Sequence, residues 1–276
     1  MEFFGALIEF LDAEMETPTM YGWFHLLFWG LTLGATVLLC VLHKRNPSEK
    51  RVRAVVFGVA LTVFILEIYK MINYSFSYEN GEILFEYQWY AFPWQFCSTP
   101  MYAGLLTGIF RKGRVHNALC AFLATYAIFA GAAVMFYPGD VFISTVGINI
   151  QTMICHGSMI TVGIYLWYSG YVKAEHKTIL GAVCVFTAAI VVAIILNEIA
   201  YVSGILEAGH NFNMFYISPH CDPHLPVYSD VQRLVPYPFC LFIYIGAFSL
   251  VAYLILLAVM GIKTLAHHIS VKKGTL

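Results

Sequence analysis

Long apolar stretches dominate the hydrophobic pattern of the chain and predict membrane-spanning helices. Each is about 20 residues or more, the length a helix needs to cross a hydrocarbon core about 30 Å thick. Short segments with Pro, Gly or charged residues separate them, as at Pro138-Gly139-Asp140. The fold predicted is an all-α polytopic membrane protein of seven transmembrane helices. The seven predicted spans are Tyr21–Leu42, Ala54–Asn73, Tyr90–Phe110, Asn117–Tyr137, Ile148–Gly170, Thr178–Val202 and Pro236–Ile262.

The residues before the first span have an amphipathic pattern. Apolar side chains at positions 3, 4, 7, 8 and 11 fall on one helical stripe, and the segment lacks the basic start and cleavage site of a signal peptide. We expect a short helix on the outer surface of the membrane, although a lid against the bundle would have the same pattern. The expected organisation is a surface helix over 1–18, a transmembrane domain over 19–265 and a cytoplasmic tail over 266–276.

Composition excludes a soluble globular protein. Of 276 residues, 60% are apolar and only 11% are charged, and the mean hydropathy is +0.73. An average soluble domain is about one quarter charged. The formal net charge of −1 also argues against a nucleic-acid partner, which would require a basic surface.

The basic residues orient the predicted bundle, because Lys and Arg accumulate in cytoplasmic loops. Thirteen of the fifteen lie after predicted spans one, three, five and seven, whereas most acidic residues lie on the opposite side. This asymmetry predicts an external N-terminus and a cytoplasmic C-terminus. The thirteen are Lys44, Arg45, Lys50, Arg51, Arg53, Arg111, Lys112, Arg114, Lys173, Lys177, Lys263, Lys272 and Lys273.

The last outer loop contains a group of possible metal ligands, which includes His210, His220, Cys221, Asp222 and His224. Structural zinc sites usually have paired ligands at two separate places, whereas these residues crowd one proline-rich stretch. We therefore favour a polar cap over a cavity, and predict no metal and no cofactor. Six of the seven cysteines fall within spans, so no disulfide framework is expected.

Polar side chains of five predicted spans share one depth, one to two turns from the outer face. An ionisable group inside a membrane is costly and is a functional candidate by default. Several structural interpretations remain open. Glu67 and Lys70 could form an ion pair between helix neighbours, and His25 could be a hydrogen-bonded interface residue. The members of the set are His25, Glu67, Lys70, Gln95, Cys97, Gln151, His156, Asn197 and Glu198.

Asn197 and Glu198 point about 100° apart on a helix, so we expect only one of them to line the cavity and favour Glu198.

Cys97 and His156 are the candidate catalytic pair. Cys97 lies between Pro93 and Pro100, and a helix broken by prolines exposes backbone that must be satisfied internally or line a cavity. A cysteine attacks as its thiolate, which a neighbouring histidine can generate. Cys97 could instead be a small packing residue, since this chain has five other cysteines in its spans.

These residues resemble the YwaF-like integral membrane proteins of bacteria, whose animal relatives are transmembrane phospholipid acyltransferases. The resemblance implies acyl transfer with a cysteine nucleophile at the position of Cys97, and a multi-pass protein of the bacterial plasma membrane. It also implies a distant similarity to lipid-ester hydrolases with a Thr/His pair. The loop from His220 to His224 has no counterpart in the family pattern. The motifs that carry the resemblance are His25, Glu67-Ile68-Tyr69-Lys70, Pro93-Trp94-Gln95-Phe96-Cys97, His156-Gly157 and Asn213-Met214-Phe215.

The leading hypothesis is acyl transfer or lipid-ester hydrolysis in the outer half of the bilayer, with a phospholipid or lysophospholipid as substrate. Gln95, Ser98 or Asn213 would donate hydrogen bonds to the oxyanion. Glu67 or Glu198 would orient the histidine. The alternative is a small-molecule transporter or ligand-binding membrane protein, since broken helices and intramembrane charges are also typical of transporters. The sequence leaves the oligomeric state open.

Overall fold

Helices account for most of residues 2–43, 46–221 and 228–274, which are the parts of the chain described by this computed structural model. Two strands, β1 (Phe76–Glu79) and β2 (Glu82–Phe85), form one hairpin. Single 3-10 turns lie at Trp89–Ala91 and Met214–Tyr216. The helices are α1 (Glu2–Leu11), α2 (Trp23–His43), α3 (Glu49–Asn73), α4 (Thr99–Ile109), α5 (Arg114–Ala124), α6 (Tyr126–Phe136), α7 (Val146–Tyr168), α8 (Thr178–Val202), α9 (Tyr228–Leu234) and α10 (Tyr237–Gly274).

Five helical segments of the described residues are long and apolar enough to cross a membrane: α2, α3, α5 with α6, α8 and α10. They lie at the first, second, fourth, sixth and seventh predicted spans. A helix of 23 residues, α7, occupies the fifth predicted position but carries more polar side chains. The helical character is thus confirmed, and helices long and apolar enough to cross a membrane lie at five of the seven predicted spans.

The third predicted span, Tyr90–Phe110, is wrong as a continuous helix. The α-helix α4 covers only Thr99–Ile109, and residues 92–98 are irregular. Proline at position 100 has no N–H to donate, and its ring would clash with the carbonyl four residues before it. Proline is accepted in the first turn of a helix, so α4 begins immediately before Pro100.

The all-α prediction missed the β-hairpin. Its strands pair in antiparallel register from Phe76 opposite Phe85 to Glu79 opposite Glu82. The two turn residues, Asn80 and Gly81, have φ of 53° and 84°. A tight hairpin turn requires positive φ at both positions, for which Asn-Gly is the preferred pair.

The boundary expected at residue 265 falls inside α10, which continues to Gly274. At about 1.5 Å per residue its 38 residues extend about 57 Å, well beyond a hydrocarbon core.

Helix α7 lies at the centre of the bundle, in contact with α2, α3, α5 and α6. Glycines allow these helices to approach closely. A Cβ at Gly131 of α6 would lie 2.5 Å from the backbone oxygen of His156, and Gly157 faces the side chain of Thr32 on α2. Because protein surrounds α7, its polar side chains face other helices instead of lipid.

Helix α1 and the hairpin cover one end of the bundle. Gly5 packs against the ring of Tyr78 on β1, and the Tyr69 hydroxyl donates a hydrogen bond of 2.7 Å to the carbonyl of Leu11. The opposite side of α1 exposes large apolar side chains, at Phe3, Phe4, Leu7 and Phe10. This exposed face differs from the predicted stripe in including Phe10, while Ile8 and Leu11 are partly covered.

We predict that Gly131→Ala destabilises the protein. The added methyl group would meet backbone, which cannot rotate away, so α6 and α7 must separate. We expect the free energy of unfolding to fall by about 1–3 kcal/mol, measured as a lower midpoint of thermal unfolding in detergent. Gly34→Ala is the matched control, because no atom lies within 4 Å of its added Cβ. Equal effects of the two substitutions would contradict the close approach.

Candidate active site

A buried ion pair on α3 anchors the polar interior. Lys70 Nζ lies 2.5 Å from Glu67 Oε1, and both side chains are largely buried. The second carboxylate oxygen of Glu67 accepts a hydrogen bond of 3.1 Å from the Gln151 amide on α7. The Thr152 hydroxyl donates to the side-chain amide oxygen of Gln151 at 3.4 Å. The two helices are therefore joined by a hydrogen-bonded network that ends at Thr152.

His156 follows one turn later on α7 and presents an unoccupied nitrogen. Its Nδ1 lies 2.7 Å from the carbonyl oxygen of Thr152. A carbonyl only accepts, so Nδ1 carries the proton of the neutral ring and Nε2 is left with a lone pair. Nε2 is buried and has no hydrogen-bond partner among the described residues. This atom is a base with nothing bound to it.

Cys97 lies in the irregular segment before α4 and contacts α7 next to His156. The Cys155 thiol points at the backbone oxygen of Cys97 at 3.9 Å. The charges of Lys70 and Glu67 act on the Cys97 thiol, and the Lys70 charge acts on His156 as well. Within the described ranges no hydrogen bond joins Cys97 to His156. The structure thus brings α3, α7 and the Cys97 segment together without forming the predicted dyad.

Backbone turns satisfy part of this irregular segment, as from the Ser98 N–H to the Gln95 carbonyl at 2.9 Å, and side chains contribute further hydrogen bonds. The Tyr102 hydroxyl donates to the Pro93 carbonyl at 2.9 Å, and Thr99 donates to the Phe96 carbonyl at 2.8 Å. Trp94 donates its indole N–H to the Ala189 carbonyl on α8 at 3.2 Å. A break inside a membrane is tolerated only with such replacements.

Side-chain amides hold the turn after residue 212 against the Cys97 segment. Gln95 donates to the Asn213 carbonyl at 3.0 Å and accepts from the Phe215 N–H at 2.9 Å. Asn197 of α8 likewise donates to the Met214 carbonyl at 3.1 Å and accepts from the Met214 N–H at 2.8 Å. Phe215 and Tyr216, which the turn contains, have φ of 59° and 57°, a strained conformation for residues with side chains.

This turn changes the roles expected for three polar residues. Both the nitrogen and the oxygen of the Gln95 side-chain amide already form hydrogen bonds to the backbone of the turn. Asn213 accepts from the Ser218 N–H at 2.9 Å, but its Nδ2 is buried with no hydrogen-bond partner in the described structure. Ser98 is buried and directly follows Cys97 in the chain. Asn213 therefore offers an unused donor, whereas Gln95 serves mainly to position the turn.

Tyr216 is a candidate that the sequence reasoning missed. Its phenol interacts electrostatically with the Cys97 thiol. Although the residue as a whole is 40% exposed, desolvation raises the pKa of Tyr216, and a thiolate at Cys97 would raise it further, so the phenol keeps its proton at neutral pH and can donate. Its position directly after the Asn213-Met214-Phe215 motif was the available signal.

His25 lies outside this group. Its Nδ1 accepts from the Tyr21 N–H at 2.9 Å, and its Nε2 therefore donates to the Met135 carbonyl at 2.8 Å. Both nitrogens are occupied in joining the start of α2 to the end of α6. The geometry supports the interface interpretation of His25.

Glu198 also lies apart, and the preference for it over Asn197 is wrong. Asn197 is 1% exposed and points into the bundle. The side chain of Glu198 is 47% exposed and pairs with His220, whose Nε2 lies 3.1 Å away. The last loop provides a partner for each side chain, Met214 for Asn197 and His220 for Glu198. These contacts determine which of the two side chains faces the bundle interior.

That loop forms no metal cluster in the described residues. His220 stacks on the ring of Tyr201 with centroids 3.6 Å apart, and the Cys221 thiol donates to the Phe212 carbonyl at 3.3 Å. Asp222 and His224 lie outside the described residues. All seven cysteines are free thiols.

A groove of about 320 Å³ leads from the side of the bundle to the ion pair. Apolar residues of α3, the hairpin and the start of the broken span form most of its wall, with Glu67 and Ser75 as polar members. Its outer edge includes the exposed side chains of Ile68, Ile72 and Phe76. A long apolar ligand could lie here with a polar group near Glu67.

We predict that Asn197→Ala loosens the strained turn. The substitution leaves the buried Met214 N–H without a partner, at about 1–3 kcal/mol, and removes one of the two hydrogen bonds to the Met214 carbonyl, which still accepts from the Ile217 N–H. We expect a lower unfolding midpoint and faster proteolysis between α8 and α10. Glu198→Gln, one residue away and half-exposed, is the control and should leave both measurements near the wild-type values. Similar behaviour of the two variants would argue against the Asn197 pairing.

Comparison with known proteins gives one match. The model of the TMEM164 family matches residues 19–258, which is most of the chain. No curated protein and no solved structure matches. This match confirms that the chain resembles a membrane-protein family. It does not show the expected relation to YwaF-like proteins or to acyltransferases. With its apolar helices and a match over this range, the chain belongs to the TMEM164 family of membrane proteins.

Proposed function

We propose that the chain is an integral membrane lipid acyltransferase or lipid-ester hydrolase with Cys97 as nucleophile and His156 as base. The observation that carries this proposal is the buried, unpartnered Nε2 of His156 on the helix turn that contacts the Cys97 backbone. A buried acceptor normally has a partner, so an empty one beside a thiol favours proton transfer over packing. Thr152 orients the ring in the way that an acidic residue does in a triad.

In the proposed reaction, His156 Nε2 takes the proton of the Cys97 thiol, and the thiolate attacks the carbonyl carbon of a phospholipid ester. The ester C–O bond then breaks, leaving an acyl thioester, and the departing lysolipid oxygen takes the proton back from His156. A lysophospholipid hydroxyl or water attacks the thioester in the same way and restores the thiol. The thiol and the imidazole move into contact as the ester binds, as catalytic hydrogen bonds commonly do.

The surrounding charges and donors suit this chemistry. The Lys70 ammonium, held by Glu67, would stabilise the thiolate and face both reacting groups. The unused Asn213 Nδ2 is the preferred oxyanion donor, with Tyr216 and Ser98 as further donors. Preorganised donors of this kind usually supply the largest part of the catalysis.

The groove along α3 supports a lipid substrate that enters sideways. Its walls are apolar, which suits an acyl chain, and its inner end reaches Glu67, whose partner Lys70 would donate a hydrogen bond to the ester carbonyl. In this proposal α4 with the broken segment and α7 complete seven spans, and the basic loops face the cytoplasm. The site then lies in the outer half of the plasma membrane of a bacterial cell, with the exposed apolar face of α1 on the membrane surface.

A transporter is less well supported. Beyond Cys155 towards the basic loops, a small void of about 30 Å³ between α3, α4, α5 and α7 is lined mainly by Val, Ala, Met and Leu side chains. A transport path would continue through polar groups from one side to the other. The apolar lining favours a site open to one side.

We predict that Cys97→Ala abolishes acyl exchange between a labelled phospholipid and a lysophospholipid in vesicles that contain the purified protein. The reason is the loss of the only atom that forms the thioester in this mechanism. Cys184→Ala is the matched control, because that thiol is exposed on α8. The proposal fails if the Cys97 variant folds and keeps wild-type exchange.

We predict that Asn213→Asp lowers kcat about 10²–10³-fold with little change in KM. Aspartate keeps the oxygen that accepts from the Ser218 N–H but removes the Nδ2 donor. Initial rates at several lysolipid concentrations separate kcat from KM, and the unfolding midpoint reports on the turn. An active Asp variant would show that Asn213 only shapes the turn.

A further inference from the structure

A second cavity, of about 480 Å³, opens at the opposite end of the bundle, between α5 and α8. Two loops supply its rim, the one before α5 and the one before α8. Four basic side chains line it, together with one carboxylate, Glu175. The basic residues are Lys112, Arg114, Lys173 and Lys177.

The positive charge of this rim is only partly neutralised. Lys177 pairs with Glu175 at 2.7 Å, and the Lys112 ammonium lies 5.4 Å from the centre of the Tyr171 ring. The side chains of Arg114 and Lys173 form no ion pair within the described ranges. Glu49 is also close, but its carboxylate accepts from the Lys112 N–H and pairs with Arg53.

The pKa of Glu175 is lowered by its hydrogen bond from Lys177 and by the charges of Lys177 and Lys173. The carboxylate is therefore ionised at neutral pH, and an excess of three positive charges remains on the rim.

Two helix N-termini add to this field. Helix α5 begins at Arg114 and α8 at Thr178, and both residues line the cavity. The helices approach so closely that a Cβ on Gly181 would lie 3.1 Å from the Cα of Ala118. Each N-terminus carries about half a positive charge, and paired N-termini reinforce each other at an anion.

The floor of the cavity is apolar. It consists of short side chains on the facing sides of α5 and α8, which are Ala118, Cys120, Ala121 and Gly181, with Val172 from the loop. The outer side of α8 next to this floor is apolar and exposed, as at Leu180. A soluble anion would use the rim alone, whereas a lipid would also use the floor and the lipid-facing surface.

We propose that this cavity binds the phosphate monoester headgroup of a membrane lipid in the leaflet next to the basic loops. Arg114 and Lys173 would contact the phosphate oxygens between the two helix N-termini, and an acyl chain would run from the cavity floor onto the exposed apolar surface of α8 near Leu180. A phosphate monoester carries up to two negative charges, which matches the excess of positive charge better than a zwitterionic headgroup does. The site is independent of the chemistry proposed at Cys97.

The test is native mass spectrometry of the full chain in detergent with equal amounts of phosphatidic acid and phosphatidylcholine. We expect the wild type to retain phosphatidic acid preferentially. Arg114→Gln with Lys173→Gln should weaken that binding at least about tenfold. The control is Lys50→Gln with Arg51→Gln, which removes the same charge from the same face at residues that do not line the cavity, and should stay within about twofold of the wild type.

A lipid adduct lost only in the Arg114/Lys173 variant supports the proposal. Equal losses in both double variants would reduce the effect to general attraction by a basic face and overturn it. An absence of preference for phosphatidic acid in the wild type would overturn it as well. Glycerol 3-phosphate, which has the same headgroup without acyl chains, should compete at least about tenfold more weakly. Equal competition would assign the site to a soluble phosphate ester and reject the lipid.

Discussion

The hydrogen bonds of two side-chain amides, Gln95 and Asn197, to the backbone of residues 213–215 are the constraint on which the site depends. Adjacent left-handed residues cost about 1–3 kcal/mol each. Four hydrogen bonds of about 1 kcal/mol each offset a strain of this size. This turn also places Asn213 and Tyr216 beside the Cys97 segment, so the site is assembled from four separate parts of the chain: α3, the Cys97 segment, α7 and the turn.

The position of α7 explains how polar chemistry is maintained in such an apolar protein. Helices on several sides shield it from lipid, and glycines at the contacts bring their backbones close. Gln151 and Thr152 therefore find hydrogen-bond partners inside the protein, and the Thr152 carbonyl in turn holds the His156 ring. The same residues give α7 a lower hydropathy than the five long apolar helices, although most of its side chains are buried.

Much of the architecture was predictable because lipid imposes it. The first, second and sixth spans begin or end within a few residues of α2, α3 and α8, since a hydrocarbon core fixes both length and composition. The grouping of Glu67, Lys70 and His156 could be predicted from depth alone. The Asn80-Gly81 pair is also a recognisable signal for a hairpin turn, although it lies in a sequence dominated by long apolar stretches.

The remaining details were set by partners far along the chain. Whether His25 has a free nitrogen depends on the carbonyl of Met135, 110 residues away. Whether Asn197 or Glu198 faces inward depends on Met214 and His220. No periodicity in the sequence encodes such pairings. The depth of a polar residue in the membrane could therefore be predicted from the sequence, whereas its hydrogen-bond partners could not.

The Glu67–Lys70 pair is poorly explained as a structural link. Both residues belong to α3, so their attraction joins no two helices, and the contact with α7 is the Gln151 hydrogen bond to Glu67. A neutral amide at position 67 could accept that bond without the cost of burying charge, which often exceeds what a buried ion pair returns. The charge of Lys70 does reach Cys97 and His156. If Cys97 acts as the nucleophile that we propose, this cation would stabilise its thiolate, a role that explains the pair better than the stability of the bundle does.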